Sequence, residues 1–511
     1  MKIPSEIQAI VQKIHEVNGT CYLVGGVVRD LWIGGALTSG MYELNAHIFK
    51  RKEPTNFQDL DIEVFGIPVH RLREILEPFG PVNTVGKAHG CMKMKFGDYK
   101  VDFTIPRRDN KVGSKHTEFE HTYHPDMSPQ EATLRRDFTM NAMMLRLYPG
   151  QNFDDIGGFH LSTFGHDFHK GSRHLSLGQL VPVSNETFGE DPLRLLRGMQ
   201  FASRFGLVAS SELVDLFTEN DGALVYELRH LPKDRIYAEW EKWATRSRIP
   251  SLGLRYLEDT GILKAFPYTI INDLATTPQD PEWHPEGNVF IHTCHAVDAA
   301  NDICDRENAS DDERITVMFG ALCHDFGKPG TTRHEDGRVT SKRHSIEGVG
   351  VAHAFLSSIG MPEFRITRIL PLIEEHLIHA NKDIHHNLVR RLATRMKRSP
   401  KNFPFNYNGT IRELLFVIEA DASARPPLPG GLPEECKKIE AIAKELELEK
   451  DKPKPIVMGR HLIEVFHMSP SKRFKAILNA CMEKQLDGEI TNLDEGLAFV
   501  TSLLTKEPIN G

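Results

Sequence analysis

Asp59 and Asp61, separated only by Leu60, are the first residues whose types and spacing could do chemistry. On a strand they share one face, because side chains alternate with period two, while Leu60, Ile62 and Val64 turn toward a core. Carboxylates this close repel unless a cation sits between them, which suits a divalent metal. The spacing alone also describes a solvated face. Upstream, the apolar run 21–24 enters Gly25-Gly26-Val27-Val28-Arg29-Asp30. Paired glycines bring backbone N–H groups close to an anion with no Cβ in the way, and the helix start that follows favours phosphate. A strand-to-helix turn that needs glycine for geometry alone is the plainer reading of the pair. Together the two stretches describe metal held by carboxylates and phosphate held by backbone and Arg29.

Two further constellations lie downstream. Asp191-Pro192 reads as a helix N-cap followed by proline at the first helical position, and Asp191, Arg194 and Arg197, spaced by three, then share a face. Capping plus surface charge explains that spacing too. The other set is His292, the run Leu322-Cys323-His324-Asp325-Phe326-Gly327-Lys328-Pro329, then His344, His376 and Asp421. Imidazoles and carboxylates on successive helices suit zinc, manganese, iron, nickel or magnesium. Neighbours on a helix point about 100° apart, so His324 and Asp325 can reach one ion lying between them. An isolated His-Asp pair means little in a chain with 25 histidines.

Periodicity outlines the elements that must position these groups. Ile7, Ile10, Val11, Ile14 and Val17 predict a helix over 4–18, ended at Gly19, and the polar stretch 34–58 predicts an irregular excursion. Met92, Met94 and Phe96, the turn Gly97-Asp98, and Tyr99, Val101, Phe103 and Ile105 predict a hairpin. Asp102 lies on its polar face, either as a third metal carboxylate or as a solvated residue. The segment Glu131 to Ala142 is amphipathic and carries Arg135, Arg136 and Asp137, which alone reads as a helix start with exposed arginines. Helices fill 207–270, with Arg235 and Glu239 as a structural i,i+4 pair. Prolines mark linkers at 276–288 and 426–431, and a charged helix spans 434–450. The basic run 390–398 could touch RNA phosphates, although a solvated face is the plainer reading.

The chain has 511 residues, enough for three or four domains, with 40% hydrophobic and 26% charged residues, as in ordinary globular proteins. A net charge of -8 argues against a non-specific nucleic-acid binder but leaves room for a local basic groove. Seven scattered cysteines without a C-x-x-C pattern argue against a disulfide framework and for a reducing compartment. No apolar run has membrane-spanning length and the N-terminus lacks a signal-peptide pattern, so a cytoplasmic protein is expected, with oligomeric state unspecified.

In this order, the G-G-x-V-R-D turn, the D-x-D strand and Arg135-Arg136-Asp137-Phe138-Thr139-Met140-Asn141-Ala142 resemble the head of a class II tRNA nucleotidyltransferase. That family includes CCA-adding enzymes and bacterial poly(A) polymerases. Asp155-Ile156-Gly157-Gly158, the run Gly189 to Arg197, and Arg204-Phe205-Gly206-Leu207 extend the resemblance. It implies an α+β chain with a polymerase-beta-type nucleotidyltransferase head of mixed sheet and helices at 1–150. An all-helical neck at 151–275, an HD domain at 276–430 and a helical C-terminal arm at 431–511, which helps hold the tRNA elbow, would follow. The implied activity is template-independent addition of CCA to tRNA 3′ ends from CTP and ATP. Asp59 and Asp61 would hold Mg²⁺, Gly25, Gly26 and Arg29 the triphosphate, and Arg135, Arg136 and Asn141 ribose or phosphate. Asp137 and Arg197 count among the nucleotide-binding residues, and Asp191 with Arg194 would choose the base. Cytosine and adenine each present an amino donor beside a ring-nitrogen acceptor, whereas guanine and uracil present a carbonyl and an N–H. One Asp–Arg pair can therefore accept the first two and refuse the others, at roughly 1–3 kcal/mol per misplaced contact.

The ordered H…HD…H…H…D set resembles an HD-domain phosphohydrolase, which implies a phosphatase or 2′,3′-cyclic phosphodiesterase. His292, His324, Asp325 and Asp421 would hold a divalent transition metal or Mg²⁺, and His344 and His376 a second ion or phosphate. Two stretches depart from the family: a longer span between Asp30 and Asp59 and a longer segment at 159–180, read as a mobile loop. Residues 107–125 would be the flexible loop for switching from C to A. CC-only or A-only addition, a poly(A) polymerase, an HD phosphohydrolase with an inert head and a non-catalytic RNA-binding factor are the rival readings.

Overall fold

Apolar residues alternate along 60–64, and in the computed structural model this stretch lies in strand β2 (Asp59–Phe65), with Leu60, Ile62 and Val64 buried. The structure describes residues 3–38, 58–85, 90–111, 119–151, 164–218, 223–400 and 404–506. It divides into two compact units, Met1–Phe266 and Pro267–Gly511.

In the first unit, helix α1 (Ser5–Glu16) turns Ile7, Ile10, Val11 and Ile14 inward and leads to strand β1 (Thr20–Val24) and helix α2 (Gly26–Thr38). After β2 come helix α3 (Val69–Leu76) and strands β3 (Asn83–Val85), β4 (Cys91–Phe96) and β5 (Tyr99–Thr104). Strands β6 (Arg107–Lys111) and β7 (Phe119–Tyr123) pair with each other as a separate antiparallel ribbon. Helix α4 (Pro129–Thr133) and strands β8 (Met144–Leu147) and β9 (Gly165–His166) complete the head. Seven strands form one mixed sheet in the order β3-β4-β5-β2-β1-β8-β9, with β2 and β5 parallel and the other neighbours antiparallel. Val24 stands opposite Asp61, so the glycine turn after β1 lands beside the acidic pair. Asp61 in turn stands opposite Asp102.

The rest of this unit is mainly helical: α5 (Gly171–Ser176), α6 (Leu193–Phe205), α7 (Lys233–Arg246) and α8 (Pro250–Asp259). Helix α6 packs on α7 and α8, where Trp240 and Trp243 are fully buried. In the second unit, helices α9 (Val289–Arg306) and α10 (Asp311–Cys323) pack on a later helix, α13 (Ile411–Ser423). Between them run hairpin strands β10 (Arg333–Glu335) and β11 (Arg338–Thr340) and helices α11 (His344–Ser358) and α12 (Glu363–Glu375). Capping boxes Ser310–Glu313 and Thr410–Glu413 fix the starts of α10 and α13, and so the register that delivers His324 and Asp421 at their far ends. Beyond lie α14 (Glu434–Glu445), α15 (Lys472–Leu486) and α16 (Leu493–Lys506), with a small core of Val457, Leu462, Ile477, Cys481 and Val500. Among the described residues no helix is long and apolar enough to cross a membrane.

Several expectations change. Residues 34–38, expected in an irregular excursion, are helical instead, because α2 continues to Thr38; residues 39–57 lie outside the described ones. The described parts of 107–125 are a ribbon rather than a loop. Residues 164–180 are no loose loop either: β9 extends the sheet, and Asp167 caps α5 through Gly171 N (2.7 Å) and Ser172 N (2.9 Å). The neck contains a short parallel pair, Gln179–Leu180 with Val208–Ala209. The segment 131–142 is only the end of α4 followed by turns. Asp155-Ile156-Gly157-Gly158 lies outside the described residues. The basic run is internally paired: Arg391 to Glu483 and Asp487, Arg395 to Glu375, and Arg398 to Glu374.

Candidate functional site

Asp59 and Asp61 reach the surface of the first unit's sheet, both exposed. Gly25 takes φ +78°, and a Cβ there would stand 3.4 Å from Asp61 Oδ2 and 3.5 Å from Arg136 Nη1. Glycine at this position relieves a left-handed backbone and keeps the space beside the carboxylate open. Surrounding protein raises the Asp61 carboxyl above its ordinary value; Asp102 and Asp59 push the same way, against Arg136 and Lys93. A divalent cation relieves such crowding, so the pair fits a metal. Asp102 Oδ2 accepts from Lys93 Nζ at 2.7 Å, and the three carboxylates do not converge within 4.8 Å.

Around this pair the arginines are held by acids that periodicity does not single out. Glu63, two residues beyond Asp61, is fully buried and accepts from Arg135 Nη2 at 2.8 Å, with Arg136 Nη2 at 3.6 Å from its other oxygen. Arg29 is buried, not open to a phosphate. Its guanidinium donates to Asn141 Oδ1 (2.6 Å) and Asp30 Oδ1 (2.8 Å) and lies 4.4 Å from the Phe205 ring centre. Asn141 Nδ2 donates to Asp137 Oδ1 at 3.0 Å, and Arg197 to Asp137 Oδ2 at 2.6–2.7 Å. Burial alone would raise the Asp137 carboxyl; Arg197, Asn141 and the Phe138 N–H together hold it below its ordinary value.

The expected base-choosing residues sit at the start of α6, but not as a mutual pair. Helix α6 begins at Leu193, with Asp191 Oδ1 accepting from Leu193 N at 3.1 Å. Asp191 Oδ2 pairs with Arg235 at 3.0 Å, while Glu239, the partner expected for Arg235, is buried against Lys242 at 2.7 Å. Arg194 donates to the backbone carbonyls of Thr187 (2.5 Å) and Arg135, which fixes the direction of its fork. His169 Nε2 meets Thr133 Oγ1 at 2.8 Å and His174 Nδ1 meets Thr139 Oγ1 at 2.9 Å, bracing the arginine turn from both sides.

In the second unit the six expected ligands come together. His292 Nε2 lies 3.1 Å from Asp421 Oδ1 and 3.3 Å from His324 Nε2, and these three form one group within 4.8 Å. Asp325, His344 and His376 form an adjoining group, with His344 Nε2 at 3.3 Å from Asp325 Oδ1 and 3.2 Å from His376 Nε2. Asp325 Oδ2 faces His324 Nε2 at 3.2 Å, so this carboxylate joins the two groups. The hydrogen-bond network assigns the tautomers: His344 Nδ1 donates to Ser341 O and His376 Nδ1 to Ile373 O, both at 2.7 Å. Burial holds both rings below the ordinary imidazole value, that of His376 at about 3. Two bare Nε2 lone pairs therefore confront each other, an arrangement a cation between them relieves. Burial would lower His292 as well, but hydrogen bonds to Asp421 and Glu286 raise it to about 9, so a proton there balances the carboxylates that a divalent ion would otherwise neutralise. Gly327 permits the geometry, since a Cβ on it would lie 2.0 Å from His344 O.

The stretch read as a linker supplies residues that the sequence did not reveal. Glu286 Oε1 accepts from His292 Nδ1 at 2.7 Å and from His284 Nδ1 at 2.9 Å. Gln279 Oε1 accepts from Lys328 Nζ at 2.7 Å, and the same ammonium is 2.7 Å from Asp325 Oδ2. The only signal was the density of His, Glu and Gln among the prolines.

Comparison with known proteins gives two family matches: poly A polymerase head domains at residues 21–161 and HD domains at residues 289–425. The chain is 30% identical over 409 residues to a multifunctional CCA protein of Tolumonas auensis, an alignment covering 79% of this chain and 84% of that one. Vibrio cholerae relatives of the same name align over 63% of their length. Among solved structures, the apo form II of a CCA-adding enzyme superposes with a TM-score of 0.59 at 17% identity, covering 98% of this chain and 97% of that one. The Thermotoga maritima CCA-adding enzyme complexed with tRNA gives 0.55 at 17% identity over 98% and 97%.

Two outcomes follow from these contacts. Asp137, held below its ordinary value, stabilises the fold above about pH 4, and that contribution disappears as pH falls through the depressed folded value. Asp137→Asn is expected to lose about 1.5–3 kcal/mol at pH 7 in denaturant titrations, with the gap from wild type closing on acidification. Glu286→Gln is expected to weaken divalent-metal binding about 10–100-fold, read by calorimetry and metal content.

Proposed function

The chain belongs to the multifunctional CCA protein family, and from that premise we propose that it adds CCA to tRNA 3′ ends without a template, using CTP and ATP. We also propose that the HD cluster hydrolyses phosphate esters. The observation that carries the first activity is the exposed Asp59–Asp61 carboxylates, without an ion-pair partner among the described residues, beside a glycine turn whose Gly25 takes φ +78°.

In this reading Asp59 and Asp61 hold Mg²⁺, with Asp102 at the margin because Lys93 already occupies it. Bound there, the ions would supply positive charge to the triphosphate and acidity to the RNA 3′-hydroxyl, the chemistry that transfer to the hydroxyl with loss of pyrophosphate requires. The backbone N–H groups of Gly25 and Gly26 face the triphosphate. Arg135 and Arg136, aligned by Glu63, offer their remaining donors to phosphate or ribose. Asp191 offers an acceptor and Arg194 a directed fork, the complement of the edges that cytosine and adenine share. Arg29, Asp137, Asn141 and Arg197 act from behind, as a buried chain that keeps α2, the arginine turn and α6 in one register.

At the HD cluster His292, His324 and Asp421, with Asp325 adjoining, would hold one divalent ion, and Asp325, His344 and His376 could hold a second. Ions bound there would supply acidity to a water for hydrolysis, in which the ester plus water yields alcohol plus phosphate. Lys328 and Glu286 position Asp325 and His292. The domain division proposed is a head at 1–150, a neck at 151–275, an HD domain at 276–430 and an arm at 431–511.

Purified protein incubated with Mg²⁺, tRNA lacking its last three nucleotides and single or mixed nucleotides is expected to give CCA when the products are sequenced. CC alone, A alone or an A tract would assign it to the corresponding relatives, and no extension would end the proposal. Asp59→Ala with Asp61→Ala is expected to abolish incorporation while circular dichroism stays unchanged. Gly25→Ala is expected to slow incorporation about tenfold, because a Cβ at φ +78° strains the turn by roughly 1–2 kcal/mol.

A further inference from the structure

Four of the HD ligands, Asp325, His344, His376 and Asp421, open onto a cleft of about 260 Å³, just below the usual range for a small-molecule site and sized for one compact ligand. Beyond the ligands and the polar groups of Gln279, Asp280, His284 and Ser341, its lining holds two sets that bear on recognition. Lys328, His379 and Arg425 are potential anion donors; Trp283, Val339 and Leu377 are apolar. The donors are not equally available. Lys328 is committed to Asp325 and Gln279. His379 donates Nδ1 to His376 O at 3.0 Å. Arg425 has no carboxylate partner among the described residues, and its Nε is buried without a hydrogen-bond acceptor. A buried guanidinium donor left without an acceptor costs free energy, and a planar fork matches two phosphate oxygens in a way an ammonium cannot.

Trp283 is the other unspent group. It is 56% exposed, a large apolar surface to leave in water. Its turn is nevertheless fixed: Glu282 N donates to Asp280 Oδ1 at 3.0 Å, Trp283 N to Asp280 O at 3.1 Å, and Glu282 pairs with Arg338 of β11 at 3.4 Å. A ring held on an ordered turn at a cleft is a stacking platform for a planar partner.

We propose that Arg425 and Trp283 form the recognition subsite of the HD cleft, Arg425 gripping the phosphate and Trp283 stacking on the base, so that it selects a single nucleoside monophosphate over a small aliphatic phosphate. The inference rests on the phosphohydrolase reading above and adds the residues that set its selectivity. Both side chains lie outside the ligand set, so their loss leaves the metal-binding groups intact.

The test uses full-length protein loaded with Mn²⁺ or Ni²⁺, with adenosine monophosphate and glycerol phosphate as substrates. Phosphate release gives kcat and KM, calorimetry gives the affinity for each compound, and metal content is measured for every variant. Arg425→Ala is expected to raise KM and weaken binding at least tenfold for both compounds at unchanged metal content, with Arg425→Lys intermediate. Trp283→Ala is expected to weaken adenosine monophosphate alone at least fivefold, and Trp283→Phe to restore most of it. Either alanine variant matching wild type in both KM and affinity overturns the proposal. Wild type that binds adenosine monophosphate in an Arg425-dependent way without turnover would sink the hydrolytic reading and leave the recognition subsite standing.

Discussion

Negative charge withdrawn from water must be answered by positive charge close at hand, and both units are built around that demand. In the first unit most acids are answered by side chains: Glu63 by two arginines, Asp137 by Arg197, Asp102 by Lys93 and Asp191 by Arg235. Asp59 and Asp61 remain exposed and crowded, with the pKa of Asp61 driven upward. In the second unit Asp325 and Asp421 lie well below the carboxylate range despite burial, held there chiefly by neighbouring imidazoles, Lys328 and the His292 hydrogen bond. The two solutions differ in what they leave open. Fixed arginines make a rigid frame around a small patch left unpaired among the described residues, whereas clustered imidazoles and carboxylates make a cage that could hold a metal.

How much of this the sequence displays depends on whether the signal is local. Period two along 60–64 and 92–105 gives the hairpin and the face on which Asp59 and Asp61 stand, because each strand's pattern is written within a few residues. The HD ligands are legible because few chains place those residue types in that order, although their convergence depends on four separate helices and the turn after α12. Glu63 is hidden by the same periodicity that reveals Asp61: a third acid on a polar face looks solvated, and only the arrival of Arg135 and Arg136 from 72 and 73 residues away makes it a buried partner. Arg235 misleads for the converse reason. Helical spacing offers Glu239, but the fold offers Asp191, and Glu239 is drawn inward to Lys242. Prolines around 276–288 read as a connection, and nothing local says that Glu286 reaches His292.

The buried chain from Arg29 to Arg197 gives the first unit a mechanical property that separate motifs would lack. Arg29 belongs to α2, Asn141 and Asp137 to the arginine turn, and Arg197 to α6. Beside it, Arg194 donates to the carbonyl of Arg135 and Thr187 Oγ1 to the carbonyl of Leu134 at 2.7 Å. The residues proposed to choose the base and those proposed to grip the phosphate are thus parts of one hydrogen-bonded body. A rotation of α6 that re-aims the Arg194 fork must also pull on the turn carrying Arg135 and Arg136, because their shared bonds are short and largely shielded from water. A site that accepts two bases in succession therefore gains little from moving single side chains. Its adjustments have to be movements of the whole body against the sheet that carries Asp59 and Asp61, and Glu63, hydrogen-bonded from that sheet to Arg135 and facing Arg136 at 3.6 Å, is the contact across which such movement is resisted.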